Sequence, residues 1–335
     1  MTTAMQTAPG GYGHPAGIPA LRRVIAHWVG RSRAVEASPD QVIITAGAQQ
    51  GIDLVTRLVV TPGRIVAVED PGYPPAAGLL AASGAQIAPV PVDSEGIVVD
   101  QIPVDSSMVY TTPSHQSPTR VTMSMARRRE LLHFADDHNV AIIEDDYDSE
   151  YRHSDRPLEP LHRLDTQGWV IYVGTFSKTL SPSLRLGFVA LPHSLVSHAI
   201  ALRSLIDWQP PVTVQETLLP FIVDGQLDRH LRRTRKVYTE RHQMVTDLVH
   251  EGAEAGLLVS PSPSHAGLHI TPLLPTGTDE VAVVARVRAN GAALGNHVQC
   301  WLRHDPPAGL LIGFGATPTA RLPAALPALR QALAG

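Results

Sequence analysis

Between residues 18 and 29 the apolar side chains Ile18, Leu21, Val24, Ile25, Trp28 and Val29 recur every three or four positions. That spacing places them on one face of a helix, and Gly30 marks its expected end. After it the period changes. Short β-branched and apolar runs at 42–45, 64–68, 86–90, 108–111, 140–144, 170–173 and 186–190 alternate with helical or turn segments, including 49–60, 76–82 and 123–138. Strands that read as continuous apolar runs, with helices between them, imply a mostly parallel sheet covered by helices on both faces.

Beyond Pro192 the texture shifts. Segments 194–207, 214–223 and 227–249 read as helices, and the last is charged along one side by Arg229, Arg232, Arg233, Arg235, Lys236, Glu240 and Arg241. Such a run is a solvated face, and a helix this long is able to bridge two lobes. A Pro/Ser-rich turn at 260–264 then precedes strand, helix, strand, strand and helix at 268–271, 281–289, 298–302, 310–314 and 326–333. The expected architecture is α/β. A large domain spans 36–225, a small C-terminal α+β domain spans 226–335, and segment 1–35 joins the small one after an irregular lead over 1–17.

Composition narrows the function classes. A chain of 335 residues with 44% hydrophobic and 17% charged residues has enough apolar surface to fold. Its net charge of −4 lacks the basic excess that a nucleic-acid partner demands. The single cysteine, Cys300, rules out an internal disulfide framework. No apolar run suits a membrane span and no signal core opens the chain, so the expectation is a soluble cytoplasmic protein without a membrane partner. Of the 27 basic residues only Lys178 and Lys236 are lysines, leaving 27 − 2 = 25 arginines. Lysine can act as an amine nucleophile and arginine cannot, so a lysine retained in such a chain invites inspection.

Four strings carry candidate chemistry. In "IIEDDYDSE", 142–150, Glu144, Asp145, Asp146, Asp148 and Glu150 follow an apolar strand, where open α/β sheets place ligands. A solvated loop is one reading and a hard cation another, but no calcium-loop spacing or Walker A sequence accompanies them, and no metal is expected. In "VIYVGTFSKTLSPSLRLGFV", 170–189, Lys178 is flanked by Thr175, Ser177 and Thr179 and followed by Arg185, a set able to cradle a phosphate. "IITAGAQQGID", 43–53, places a small-residue turn at the start of a helix, whose free N–H groups favour phosphate. In "VEDPGYPP", 68–75, Tyr73 is either a packed turn residue or an aromatic face for a planar ring. An amine, a phosphate pocket made by two loops, an aromatic face and a carboxylate together suit pyridoxal phosphate.

These motifs, with "TTPSHQSPT", resemble the aminotransferase-like region of MocR/GabR-type regulators, itself similar to the class I/II, fold type I aminotransferases. The resemblance runs from "GYGHPAGIPALR" at 11–22 to "GLLIGFG" at 309–315. It implies pyridoxal 5'-phosphate held by Lys178 as a Schiff base, with Asp145 at the pyridine nitrogen, Tyr147 at the phenolic oxygen and Tyr73 stacked on the ring. Ala48, Gln49, Thr175, Ser177 and Arg185 match phosphate contacts, and His115 a substrate-side position. It also implies a homodimer.

Departures from the pattern matter as well. The regulators carry an amino-terminal winged helix-turn-helix, for which the roughly ten residues before the first motif leave no room. The arginine that grips a substrate carboxylate corresponds to Leu311, with Arg303 or Arg321 as possible substitutes. Arg120 stands where the related "PTG" turn has glycine, and Pro75 where some relatives have arginine. Arg120 is either an anion contact or a solvated turn residue, the latter being favoured. The leading expectation is an aminotransferase acting on an amino acid or other primary amine and a 2-oxo acid. The alternative is a non-catalytic, pyridoxal-phosphate-dependent effector-sensing module derived from such a regulator.

Overall fold

A computed structural model of the chain describes residues 11–151, 159–260, 267–289, 294–303 and 306–334. Residues 1–10 of the expected lead, and 261–264 of the expected Pro/Ser-rich turn, lie outside the described residues. Helix α1 (Pro19–Arg33) carries the predicted apolar stripe but runs past Gly30, closing at Ala34 in the left-handed region with φ 57. The extra turn places Arg33 beside the buried carboxylates of Asp146 and Glu150, which hold it there.

The expected alternation follows as β1 (Val42–Thr45), α2 (Ala48–Val59), β2 (Ile65–Asp70), α3 (Pro74–Ala82), β3 (Gln86–Asp93), β4 (Gly96–Ile97) and β5 (Ser106–Thr111). It continues with α4 (Met125–His138), β6 (Ala141–Asp146), α5 (Leu161–Leu164), β7 (Val170–Thr175) and β8 (Gly187–Ala190). The eight strands form one sheet in the order β1-β8-β7-β6-β5-β2-β3-β4. The run β7-β6-β5-β2-β3 is parallel throughout. Strand β8 is antiparallel to both neighbours, and β4 closes a hairpin on β3.

Alternate residues of each strand feed opposite apolar layers, as the pleat requires. Ile43, Val66, Val68, Ile143 and Val173 pack with Ile52, Val55 and Leu80 of α2 and α3. On the other face Val109, Ile142 and Val170 pack with Leu131 and Ala135 of α4, and Ile44, Tyr172 and Phe188 with Leu21, Ile25 and Trp28 of α1. Burial on both faces is why these strands carry so few polar residues away from their carboxyl ends.

Helices α6 (His193–Ile206) and α7 (Val212–Val223) lead into the long α8 (Gln226–Glu254). Leu227 and Leu231 of α8 join the α1 core, whereas Val245, Leu248 and Val249 join a separate core, so one helix serves both. That second core is built on a three-stranded antiparallel sheet of β9 (His269–Ile270), β10 (Gly295–Asn296) and β11 (Leu310–Gly313), with helices α9 (Glu280–Ala289) and α10 (Ala325–Ala334). One expected strand fails: 298–302 is a 3-10 turn over Val298–Cys300. Its backbone groups are taken by other partners. Val298 N–H donates to Glu280, Leu302 N–H donates to Asp70 Oδ1 at 2.8 Å, and the Cys300 carbonyl accepts from Gly72 N at 2.8 Å.

Candidate active site

The predicted residues gather at one edge of the large sheet. Strands β1, β2, β5, β6 and β7 deliver Gly47–Gln49, Tyr73, His115, Asp145 with Tyr147, and Ser177 with Lys178 at or just past their carboxyl ends. Because β8 is antiparallel, its start lies at the same edge and brings Arg185 there. This is where doubly wound sheets open a crevice for ligands.

The residues matched to phosphate contacts lie at this edge around the start of α2 and the approach to β8. Gly47 caps α2 with φ 86 and no side-chain cap, so the first-turn N–H groups of Ala48 and Gln49 begin an uncapped helix. Arg185, itself left-handed at φ 46, donates from Nη2 to the Ala46 carbonyl at 2.9 Å. A Cβ on residue 47 would lie 3.0 Å from Arg185 Nη2, so glycine leaves the room the guanidinium uses. Gln49 donates to the Pro75 carbonyl at 2.8 Å, and Thr175 Oγ1 accepts from Ser177 N–H at 3.1 Å.

All five carboxylates of the acidic string are buried, which overturns the solvated-loop reading. Most have partners within the protein. Glu144 faces Arg128 at 3.7 Å and accepts from the N–H groups of Leu161 and His162. Asp146 faces Arg33 and accepts from the Tyr172 hydroxyl at 2.6 Å, and Glu150 pairs with Arg33 at 2.9 Å. Asp148 holds His115 Nδ1 at 3.1 Å. Asp145 alternates to the opposite face of β6 from Glu144 and Asp146 and differs from them. Its Oδ2 accepts from Tyr110, while the buried Oδ1 has no hydrogen-bond partner among the described residues. Burial pushes its carboxyl up to about 7, opposed by the Tyr110 hydrogen bond and reinforced by the charge of Asp146.

Tyr73, 38% exposed, has its hydroxyl pushed up first by burial and then by the charge of Asp145, while Arg185 acts the other way. One aromatic side chain thus lies within the fields of both the carboxylate and the guanidinium. Tyr147 donates to the His115 carbonyl at 2.8 Å and stands 3.0 Å from His115 Nδ1. Lys178 is exposed at the rim, and its charge is one of those depressing the pKa of His269. A partnerless buried carboxylate oxygen, an aromatic face, an uncapped helix start beside an arginine and an exposed amine fit a planar cofactor bearing a ring nitrogen, an aldehyde and a phosphate.

Several residues here carried no sequence signal of their own. Glu69, buried on β2, accepts from Thr111, Thr112 and Gln116 and so fixes the loop after β5. Tyr110 reads in sequence as a core residue of its strand. His269 is one of 16 histidines, and only the packing of the two sheets sets its ring 5.1 Å from that of His115. Ligand atoms of His115, Asp148 and His269 lie within 4.8 Å of one another, a grouping a metal ion could use. Burial first, and then the charges of His115, Arg120 and Lys178, hold the His269 imidazole well below its ordinary pKa.

Arg120 corrects the sequence reading. It is 4% exposed rather than a solvated turn residue, with φ 67. Arg303, by contrast, is exposed and lies over the Trp301 ring at 4.0 Å, and Arg321 is exposed.

A mostly parallel sheet with an amine, a buried carboxylate and an uncapped helix start at its carboxyl edge defines the fold type I transferases. A profile of aminotransferase class I and II matches residues 3–280, and the chain belongs to that family. It is 32% identical over 323 residues to the probable rhizopine catabolism regulatory protein MocR of Rhizobium meliloti, covering 96% of this chain and 65% of MocR. It is 31% identical over 293 residues to aromatic-amino-acid aminotransferase 1 of Thermococcus litoralis, covering 84% and 70%. Among solved structures, an archaeal alanine:glyoxylate aminotransferase superposes with TM-score 0.89 at 25% identity over 98% of this chain and 84% of its own. A Pyrococcus horikoshii kynurenine aminotransferase, solved with PMP, superposes with TM-score 0.86 at 27% identity over 99% and 85%. The chain spans about 65% of the length of MocR. Among the described residues no helix is long and apolar enough to cross a membrane.

Proposed function

We propose that the protein is a pyridoxal-phosphate-dependent aminotransferase that moves an amino group between an amino acid or other primary amine and a 2-oxo acid. The observation that carries this reading is the state of Asp145: buried and held by Tyr110 on one oxygen, with its second oxygen lacking a hydrogen-bond partner among the described residues. When bound, the cofactor supplies an electron sink beside the amino-bearing carbon of the substrate. Lys178 would hold it through Nζ, and the same amine would serve as the general base for the substrate proton. Asp145 would keep a positive charge on the ring nitrogen, Tyr73 would lie against the ring, Tyr147 would bind the phenolic oxygen, and Ala48, Gln49, Thr175, Ser177 and Arg185 would hold the phosphate. Asp148 fixes the imidazole of His115 on the substrate side, and burial of this loop excludes water from the reacting face.

We assign the units as 36–225 for the large domain and 226–335 for the small one; α1, expected to join the small domain, packs instead on the large sheet through Leu21, Ile25 and Trp28. The protein acts as a homodimer with no nucleic-acid or membrane partner, in the cytoplasm. Support for the dimer comes from an exposed apolar patch where Leu205 is 85% exposed, Trp208 50% and Tyr12 83%. The Tyr12 ring lies 5.2 Å from that of Trp208, tilted by 47°.

A second reading, a non-catalytic effector-sensing module, is favoured by the similarity to MocR and by Leu311. The two are separated by mixing cofactor-loaded protein with pools of amino donors and then of 2-oxo acids. Near-ultraviolet and visible absorbance that interconverts fully between aldehyde and amine forms supports the enzyme. Binding that never proceeds to the amine form supports the sensor. Lys178→Ala is expected to lose the cofactor bond fixed by borohydride, read by mass spectrometry; a cofactor still fixed in that variant refutes both readings.

A further inference from the structure

Ile270 of β9 and its partner Ile312 on β11 enter the apolar core of the small sheet, so His269, one residue away on β9, points to the opposite face. There its ring lies 5.1 Å from that of His115 in the loop after β5, tilted by 52°. Thr271, on the same face, donates from Oγ1 to the Pro118 carbonyl of that loop at 2.8 Å, and the His269 ring bonds the same carbonyl. Asp148 arrives from the loop after β6. Three segments far apart in sequence thus bring two imidazoles and a carboxylate together, with one ligand atom of each within 4.8 Å of the others.

The group is buried and incompletely paired. His115 is 2% exposed and Asp148 1%, and both oxygens of Asp148 stand 3.1 Å from His115 Nδ1. Nε2 of His115 and Nε2 of His269 are buried with no hydrogen-bond partner among the described residues. A nitrogen in that position has given up water and gained nothing in exchange. Gly267 backs onto the His115 ring, where a Cβ would collide with Cε1, and so holds the ring in place.

Two imidazoles and a carboxylate are the donor set of a borderline divalent metal, whereas magnesium and calcium select oxygen ligands. With bonds of about 2.0–2.1 Å, two ligands on one tetrahedral zinc ion stand roughly 3.3 Å apart. His115 and Asp148 already have nearly that spacing at 3.1 Å. The spacing of the acidic string gave no hint of this set, because its imidazoles lie in other segments.

We propose that His115, Asp148 and His269 form a binding site for a divalent transition metal of the zinc class, each residue giving one ligand atom and the fourth position remaining open. The site stands apart from the aminotransferase reading. Its metal would tie the loops after β5 and β6 to the small sheet.

The test uses untagged, cofactor-free protein stripped with a chelator and titrated with cobalt(II) chloride, read by visible d–d absorbance. Wild type is expected to bind one cobalt per chain, displaced by zinc and not by magnesium. His269→Gln should weaken cobalt about 100-fold and Asp148→Asn about 10-fold or more, while His250→Ala, at an exposed histidine of α8, should change nothing. Zinc should raise the thermal unfolding midpoint of wild type and leave that of His269→Gln unmoved. Absence of cobalt bands in wild type, or equal affinity in wild type and His269→Gln, overturns the proposal. X-ray absorption on zinc-loaded wild type decides the matter even if a variant fails to fold: two imidazole ligands per zinc are expected, and fewer refute the site. Because no measurement involves pyridoxal phosphate, a failure here leaves the aminotransferase reading untouched.

Discussion

Tyr110 on β5 donates its hydroxyl hydrogen to Asp145 Oδ2 on the neighbouring β6 at 2.6 Å, and Oδ1 of the same carboxylate meets no hydrogen-bond partner among the described residues. The pair is built like half of a clamp, oriented from one side and open on the other. It also has a cost in the cofactor-free protein, because burial holds the Asp145 carboxyl up to about 7 from an ordinary 3.8.

A pH dependence follows from that shift. The native state binds this proton more tightly than the unfolded chain, so its contribution to stability is present below about pH 4 and is lost as pH rises toward 7. Asp145→Asn removes that loss, worth about 1.4 kcal/mol for each unit of upward displacement. Urea unfolding of the cofactor-free proteins between pH 4 and 8 should give a shallower decline for the variant. Some slope remains, because Glu144 is likewise pushed up to about 7 by burial. Identical slopes would show that Asp145 is not desolvated.

Gly47→Ala tests the phosphate cup. The left-handed backbone at φ 86 costs an alanine about 1–2 kcal/mol, and the new Cβ meets Arg185 Nη2 at 3.0 Å. Weaker pyridoxal phosphate binding, followed by equilibrium dialysis, is expected to exceed any change in fold seen by circular dichroism. Unchanged affinity would place the phosphate elsewhere.

Arg33→Met probes the ion cluster that anchors α1. Arg33 faces Asp146 at 3.6 Å and Glu150 at 2.9 Å, all largely buried, and Asp146 and Glu150 raise its already high pKa. Removing one member of a buried ionic group typically costs about 3–5 kcal/mol, because the remaining charges lose their partner. Chemical denaturation should show a loss of that order, smaller at low pH where the carboxyls are protonated.

Leu205→Asp examines the exposed patch. A dimer mass by light scattering for wild type and a monomer mass for the variant are the expected results. A wild-type monomer at micromolar concentration would remove the patch from consideration as a subunit interface.

Much of the fold was legible along the chain because its strands are buried on both faces, so 42–45, 108–111 and 170–173 read as uninterrupted apolar runs. The segment 298–302 has the same appearance, yet it is a turn. Its N–H and carbonyl groups are satisfied by Glu280, by Asp70 at the end of β2 in the other sheet and by Gly72 in the turn after it. Local pattern carries no record of such distant partners.

The site divides in the same way. Lys178, Asp145, Tyr73 and Arg185 were recognisable because each follows, or in the case of Arg185 precedes, a strand whose end at the ligand edge is dictated by local sequence. In the acidic string a solvated loop, a cation site and a cofactor carboxylate were all open readings, but strand alternation sends Glu144 and Asp146 to one side and Asp145 to the other, where Asp145 Oδ1 has no hydrogen-bond partner among the described residues. By itself, then, the sequence determined the order of elements, the family and the residue types at the sheet edge, since these depend on periodicity and motifs within short reach. Tertiary structure alone decided that Arg120 is buried, that His269 meets His115, and that Glu69 and Tyr110 hold the site together. Burial and pairing across long separations are properties of packing, and packing exists only once the layers have closed.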